Sequence, residues 1–77
     1  MKVNVYAILK EHFEPSFTVT EEISSVAQLR LKLAEMQPEA KDILQASRFA
    51  VNNEFIDNDF KLSVHDNIAV LPPASGG

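Results

Sequence analysis

An α+β domain, with a mixed sheet of four to five strands crossed by one main helix, is what these 77 residues predict. Three observations carry the expectation. Lys2 to Leu9 alternates apolar and other residues at period two, the mark of a strand with one apolar face. Val26, Leu29, Leu33 and Met36 recur at helical spacing. Ile68-Ala69-Val70-Leu71 is an unbroken apolar run, which fits a strand covered on both faces and central in its sheet.

In the first strand, Val3, Val5, Ala7 and Leu9 share one face, while Asn4, Tyr6 and Ile8 share the other. Tyr6 and Ile8 then belong either to a second core layer or to a partner-facing patch. Lys10 to Phe13 breaks the alternation, Pro15 punctuates it, and Phe17 to Thr20 resumes it, so the first two strands are expected to be antiparallel. Ser25 and Gln28 have capping-box spacing: the Ser25 hydroxyl accepts the Gln28 N–H and the Gln28 side chain reaches back. A helix beginning there carries its stripe on Val26, Leu29, Leu33 and Met36, widened by Ala27, Leu31 and Ala34, with Gln28, Arg30, Lys32 and Glu35 on the polar side. Pro38 disfavours helical geometry at Gln37 and ends it. Glu39 to Ala46 is expected to form a short helical turn or a structured loop.

Arg48 to Asn52 reads as a third strand, Asn53-Glu54 as a turn and Phe55-Ile56 as a short return strand. Asp57-Asn58-Asp59 resembles the opening of a calcium loop but lacks the glycine and distal glutamate of one, so a solvated turn is the expectation. Phe60 and Leu62 are expected to plug the core. A first strand lying parallel to the last, both in the middle of a mixed sheet with one crossing helix, is the β-grasp arrangement. Residues 1–71 are read as that domain and residues 72–77 as an extended tail ending in Gly-Gly.

The tail is where the sequence becomes specific. The chain has two glycines, and they stand together at its end as Gly76 and Gly77, so no internal turn uses one. Pro72 cannot donate to a ladder and ends the last strand, and Pro73 keeps the exit extended. At roughly 3.3 Å per residue, Pro72, Pro73, Ala74, Ser75, Gly76 and Gly77 can project about 20 Å. A stiff arm with no Cβ atoms at its tip suits insertion into a narrow channel.

Composition narrows the function classes. A mass of 8.6 kDa with 45% hydrophobic residues supports one core. The absence of cysteine excludes disulfides, thiolate metal sites and a cysteine nucleophile. Eleven acidic against seven basic residues give a net charge of −4, which argues against nucleic acid as a partner. No apolar run reaches the length of a signal h-region or a membrane span, so a cytoplasmic protein without membrane contact is expected. His12 and His65 have no partner pattern for nucleophilic or metal chemistry, and no glycine loop can cradle a phosphate. No bound cofactor or metal is expected, nor catalysis by the chain alone. Its chemistry is expected at the Gly77 carboxylate, in an active site supplied by a partner.

Leu71-Pro72-Pro73-Ala74-Ser75-Gly76-Gly77, Tyr6-Ala7-Ile8-Leu9-Lys10-Glu11 and Val51-Asn52 together resemble the small, sulfur-carrying subunits of molybdopterin synthase, a ubiquitin-like β-grasp family. Val64-His65 departs from the Asp-Gly often found in that family, and Ala74 from a larger aliphatic residue. The resemblance implies a cycle. An ATP-dependent adenylating enzyme activates Gly77, a sulfur donor protein converts it to a thiocarboxylate, and the large synthase subunit receives the tail. There the sulfur passes to cyclic pyranopterin monophosphate to give molybdopterin, in an assembly expected to hold two copies of each subunit. ATP, pterin and metal would be held by partners. From the matching first-strand motif, Tyr6, Ile8 and Lys10 are the expected docking residues. A thiamine-pathway sulfur carrier, a ubiquitin-like modifier joined to lysines through Gly77, and an interaction module with an inert tail are the other readings.

Overall fold

The alternate apolar positions of two short segments, Val3 and Val5 in one and Ile68 and Val70 in the other, set the layout of the sheet. Both segments are extended, β1 at Lys2–Val5 and β5 at Asn67–Leu71, and they lie parallel with Val3 opposite Ile68 and Val5 opposite Val70. Period-two geometry places all four side chains on one face, where they are at most 2% exposed. The computed structural model describes residues 1–73. Among these, strands β2 at Ser16–Thr18, β3 at Arg48–Val51 and β4 at Glu54–Ile56 complete one mixed sheet in the order β2-β1-β5-β3-β4. β5 is therefore central, as its apolar run predicts. β1 pairs antiparallel with β2, and β3 pairs antiparallel with both β5 and β4.

Helix α1, Val26–Met36, covers the apolar face. Its start follows the capping logic in part. Gln28 N–H donates to Ser25 Oγ at 3.2 Å, but the Gln28 side chain reaches one residue further than expected and accepts from the Ser24 N–H at 2.9 Å. Gln37 ends the helix immediately before Pro38. Val26, Leu29 and Leu33 are fully buried, and burying each such side chain contributes on the order of 1.5–3 kcal/mol. Leu31 and Met36 do not join them; at 68% and 42% exposed they lie beyond the edge of a stripe that only one sheet face can cover. The segment after Pro38 is helical, as a 3-10 turn at Pro38–Ala40 followed by α2 at Lys41–Ala46, with Ala40 and Leu44 in the core.

Arg30 corrects the simple division of α1 into apolar and polar sides. Its guanidinium donates to the carbonyls of Leu44 at 2.6 Å and Ser47 at 2.8 Å, and to Asn58 Oδ1 at 2.9 Å, with its carbon 4.6 Å from the Phe49 ring centre. One side chain thus satisfies the carbonyls that end α2 and ties them to the loop before the last strand.

Three further expectations are revised. The first strand does not run to Leu9. Val5 N–H donates to Pro15 O at 3.0 Å, and Pro15, having no N–H, cannot return the bond, so the ladder stops. Ala7 then takes φ 54° and opens a 3-10 turn, Ala7–Glu11, which exposes Ala7 and brings Leu9 into the core by another route. Phe60 is 38% exposed rather than a core plug, while Leu62 does pack against the core. The β3–β4 turn falls on Asn52-Asn53, one residue earlier than expected, with both φ values positive at 54° and 67°. Asparagine tolerates that region and so supplies, without glycine, the positive φ values with which a two-residue turn matches the right-handed twist of its strands.

Candidate functional site

The root of the tail is built from β5. Val70 is fully buried between β1 and β3, in register with Val5 on one side and Phe49 on the other. The next residues come out of the core in steps: Leu71 and Pro72 are half-buried and Pro73 is exposed. Two neighbouring ladders therefore hold the strand up to Val70, the β3 ladder alone holds Leu71, and the prolines follow directly. Ala74, Ser75, Gly76 and Gly77 lie outside the described residues.

The face of the sheet turned away from α1 is not covered by any element of the described chain. β5 is accordingly covered on one face, not two: Ile68 and Val70 are buried, whereas Ala69 and Leu71 are half-buried on the open side. Register puts Asn4, Ala69, Ala50 and Phe55 in one row across β1, β5, β3 and β4. Beside that row, Arg48 pairs with Leu71 and its guanidinium carbon stands 3.6 Å from the centre of the Phe55 ring. Phe55 is 54% exposed. A shallow depression of about 260 Å3, lined by Tyr6, Ala50, Phe55, Ala69 and Leu71, opens next to the point where the tail leaves. Asparagines 4, 52, 53 and 67 form its polar neighbour, a depression of about 330 Å3 in which Asn4 Nδ2 donates to Asn67 Oδ1 at 2.7 Å.

The expected docking trio is divided by the turn at Ala7. Tyr6, 45% exposed, joins the open face beside Leu71. Lys10 lines a separate groove with His12, Phe13 and Phe17 on the far side of β1. Ile8, 47% exposed, lines neither depression. Phe55, Ala50 and Arg48 enter the candidate surface although nothing in their own segment marks them. The signal available in the sequence was small: alternate residues of the last strand, Ala69 and Leu71, had to face something, and only the pairing register shows what lies beside them.

Among the described residues, no group of three or more His, Asp or Glu side chains is placed to hold a metal ion. Asp57 Oδ1 accepts the Asp59 N–H at 3.1 Å and Asn58 accepts from Arg30, so this loop is a structural turn. No helix among the described residues is long and apolar enough to cross a membrane.

Comparison with known proteins adds to this geometry. The model described as the ThiS family matches residues 3–77. The molybdopterin synthase sulfur carrier subunit of Dictyostelium discoideum is 44% identical over 48 residues, 60% of this chain. The match spans 56% of that relative, a little over half its length. A chain from the solved protein-protein complex of subunits 1 and 2 of molybdopterin-converting factor from Helicobacter pylori is 30% identical. It superposes with a TM-score of 0.71 over 99% of this chain and 96% of that one. The small archaeal modifier protein 1 from Methanosarcina acetivorans, at 23% identity and a TM-score of 0.82 over 99% of this chain and 94% of its own, shares the β-grasp fold.

Proposed function

The chain belongs to the ThiS family, and on that premise we propose that it is the sulfur-carrying small subunit of a molybdopterin synthase. What carries the reading is a conjunction. The chain is similar to a sulfur carrier subunit of that enzyme and to a chain from a two-subunit molybdopterin-converting complex, and its last strand is central, with Pro72 and Pro73 directly after it.

In this reading the Gly77 carboxylate attacks the α-phosphorus of ATP on an adenylating enzyme, and pyrophosphate leaves. A persulfide on a donor protein then attacks the acyl carbon and AMP leaves; a second thiol attacks the donor-side sulfur of the resulting acyl disulfide, forming a disulfide with the donor and releasing the terminal thiocarboxylate. The chain contributes no acid or base to these steps. Its part is to present the carbonyl carbon at the end of an arm whose prolines limit the conformational entropy lost on insertion. Gly76 and Gly77 pass the constriction of the large subunit, where sulfur is transferred to cyclic pyranopterin monophosphate on the way to molybdopterin. The body docks through Tyr6 and the open face around Leu71, with Ile8 exposed on the 3-10 turn that follows, whereas Lys10 lies in the separate groove beyond β1 and outside this contact.

Incubation with the adenylating enzyme, ATP and a sulfur source is expected to replace one terminal oxygen by sulfur, a gain of about 16 Da in intact mass from the difference between the two atoms. Persistence of the carboxylate form under conditions that load a known carrier would overturn the proposal. Deleting Gly77 should abolish sulfur transfer with circular dichroism unchanged. Restoring thiazole synthesis but not molybdopterin synthesis in carrier-deficient extracts would instead assign the chain to the thiamine pathway, and isopeptide adducts through Gly77 would assign it to protein modification.

A further inference from the structure

The second interaction feature lies away from the open face, at the β2 edge of the sheet. Val19 N–H donates to Met1 O at 2.9 Å and Val5 N–H to Pro15 O at 3.0 Å. Antiparallel bonds fall on alternate residue pairs, so Phe17, in register with Val3, directs both backbone groups toward β1. Ser16 and Thr18 consequently turn their N–H and C=O groups outward. Among the described residues, no strand lies beyond β2 to receive them.

Beside this edge, on the α1 side of the sheet, lies a groove of about 590 Å3. Its floor is apolar: the Phe13 and Phe17 rings stack with centres 5.5 Å apart, and Met36 is 42% exposed at the end of α1. Of the charged side chains that line it, Glu11 and Glu14 outnumber Lys10, with His12 beside them. Glu11 and Glu14 precede β2, and Glu21 and Glu22 follow it; the nearby ammonium groups are Lys10 and Lys32, the latter bound to Glu21 at 2.6 Å. Lys2, opposite Thr18 in the ladder, belongs to the other face of the sheet.

We propose that this edge and groove form a peptide-binding site for an extended segment of another protein, with bulky apolar residues at alternate positions and lysine or arginine at its ends. The segment adds as a sixth strand, exchanging backbone hydrogen bonds with Ser16 and Thr18. Its alternate side chains cover Phe17 and Met36, and its basic ends meet the glutamates. A second copy of this chain fits poorly, because antiparallel pairing about Phe17 would lay Glu14 of one copy beside the Glu21-Glu22 end of the other. The site uses no residue of the tail and stands whether or not Gly77 carries sulfur.

The test is an amide-correlation NMR titration of the 15N-labelled full chain. The probes are two short synthetic peptides with the same alternating valine and threonine centre, one flanked by lysines and the other by glutamates. The lysine-flanked peptide should shift the Ser16, Phe17, Thr18 and Met36 signals saturably, slow hydrogen exchange at Ser16 and Thr18, and bind at least about tenfold tighter than its counterpart, a difference of about 1.4 kcal/mol. Thr18→Pro removes an outward donor while leaving the β1 ladder and the extended Phe17 intact, and Met36→Asp charges an exposed part of the floor. Each should weaken binding about tenfold or more by the same conversion, with the remaining spectrum preserved. Equal binding of the two peptides, shifts confined to Ala69 and Leu71, or binding unaffected by both substitutions would overturn the proposal. So would a dimer through β2 in sedimentation of the free chain.

Discussion

The two faces of the central strand differ in what covers them. Ile68 and Val70 point to α1 and are fully buried, whereas Ala69 and Leu71, one residue away in each case, are half-buried on a face that no element among the described residues covers. In the proposed function one strand thus serves both stability and presentation. The buried alternation holds the tail root in two ladders. The open alternation leaves Ala69 and Leu71 beside Tyr6, Phe55 and Arg48, where the proposed docking would gain apolar contact without disturbing the core. A strand buried on both faces would hold the tail equally well but leave nothing next to it to dock on.

The contrast is sharpest in the response to truncation. Ile68→Ala should cost about 3 kcal/mol, because it removes buried methylenes from a close-packed layer. A domain of this size has roughly 4–12 kcal/mol in total, so the midpoint of thermal or urea unfolding should fall steeply. Arg30→Ala, on the same buried side, should cost about 2 kcal/mol by leaving the carbonyls of Leu44 and Ser47 without their charged donor; urea melts at unchanged m-value would measure it. Leu71→Ala on the open face should change stability by less than about 1 kcal/mol while weakening association with the large subunit, measured by calorimetry on the two proteins. If Leu71→Ala proved as destabilising as Ile68→Ala, the division of labour between the faces would fail. The smallest effect is expected at Ala7. Relief of its left-handed φ by Ala7→Gly, offset in part by added freedom in the unfolded chain, should raise stability by about 0.5–1 kcal/mol.

The turn at Ala7 shows where reading the chain reaches its limit. The alternation Val3, Val5, Ala7, Leu9 is real, yet it continues past the point where the backbone stops being a strand, because the ladder depends on Pro15, ten residues further on. The separation of Tyr6 from Lys10 followed from that one event. Leu31 and Met36 extend the helical stripe in the same misleading way, since periodicity reports that a helix is amphipathic but not how wide a surface awaits it.

The sequence by itself determined the β-grasp class, the start of α1 near Ser25 and its end at Gln37, the central place of Ile68–Leu71, and the Pro-Pro and Gly-Gly elements of the tail. All of these rest on local chemistry: period, cap, the missing proline donor, the placement of two glycines. Only the tertiary structure decided that no described element covers one side of β5, that Phe55, Ala50 and Arg48 flank the tail root, and that Arg30 turns inward to close α2. Those facts depend on pairing register and on which segments meet across long stretches of chain, and they are set by the packing of the whole domain rather than by any stretch within it.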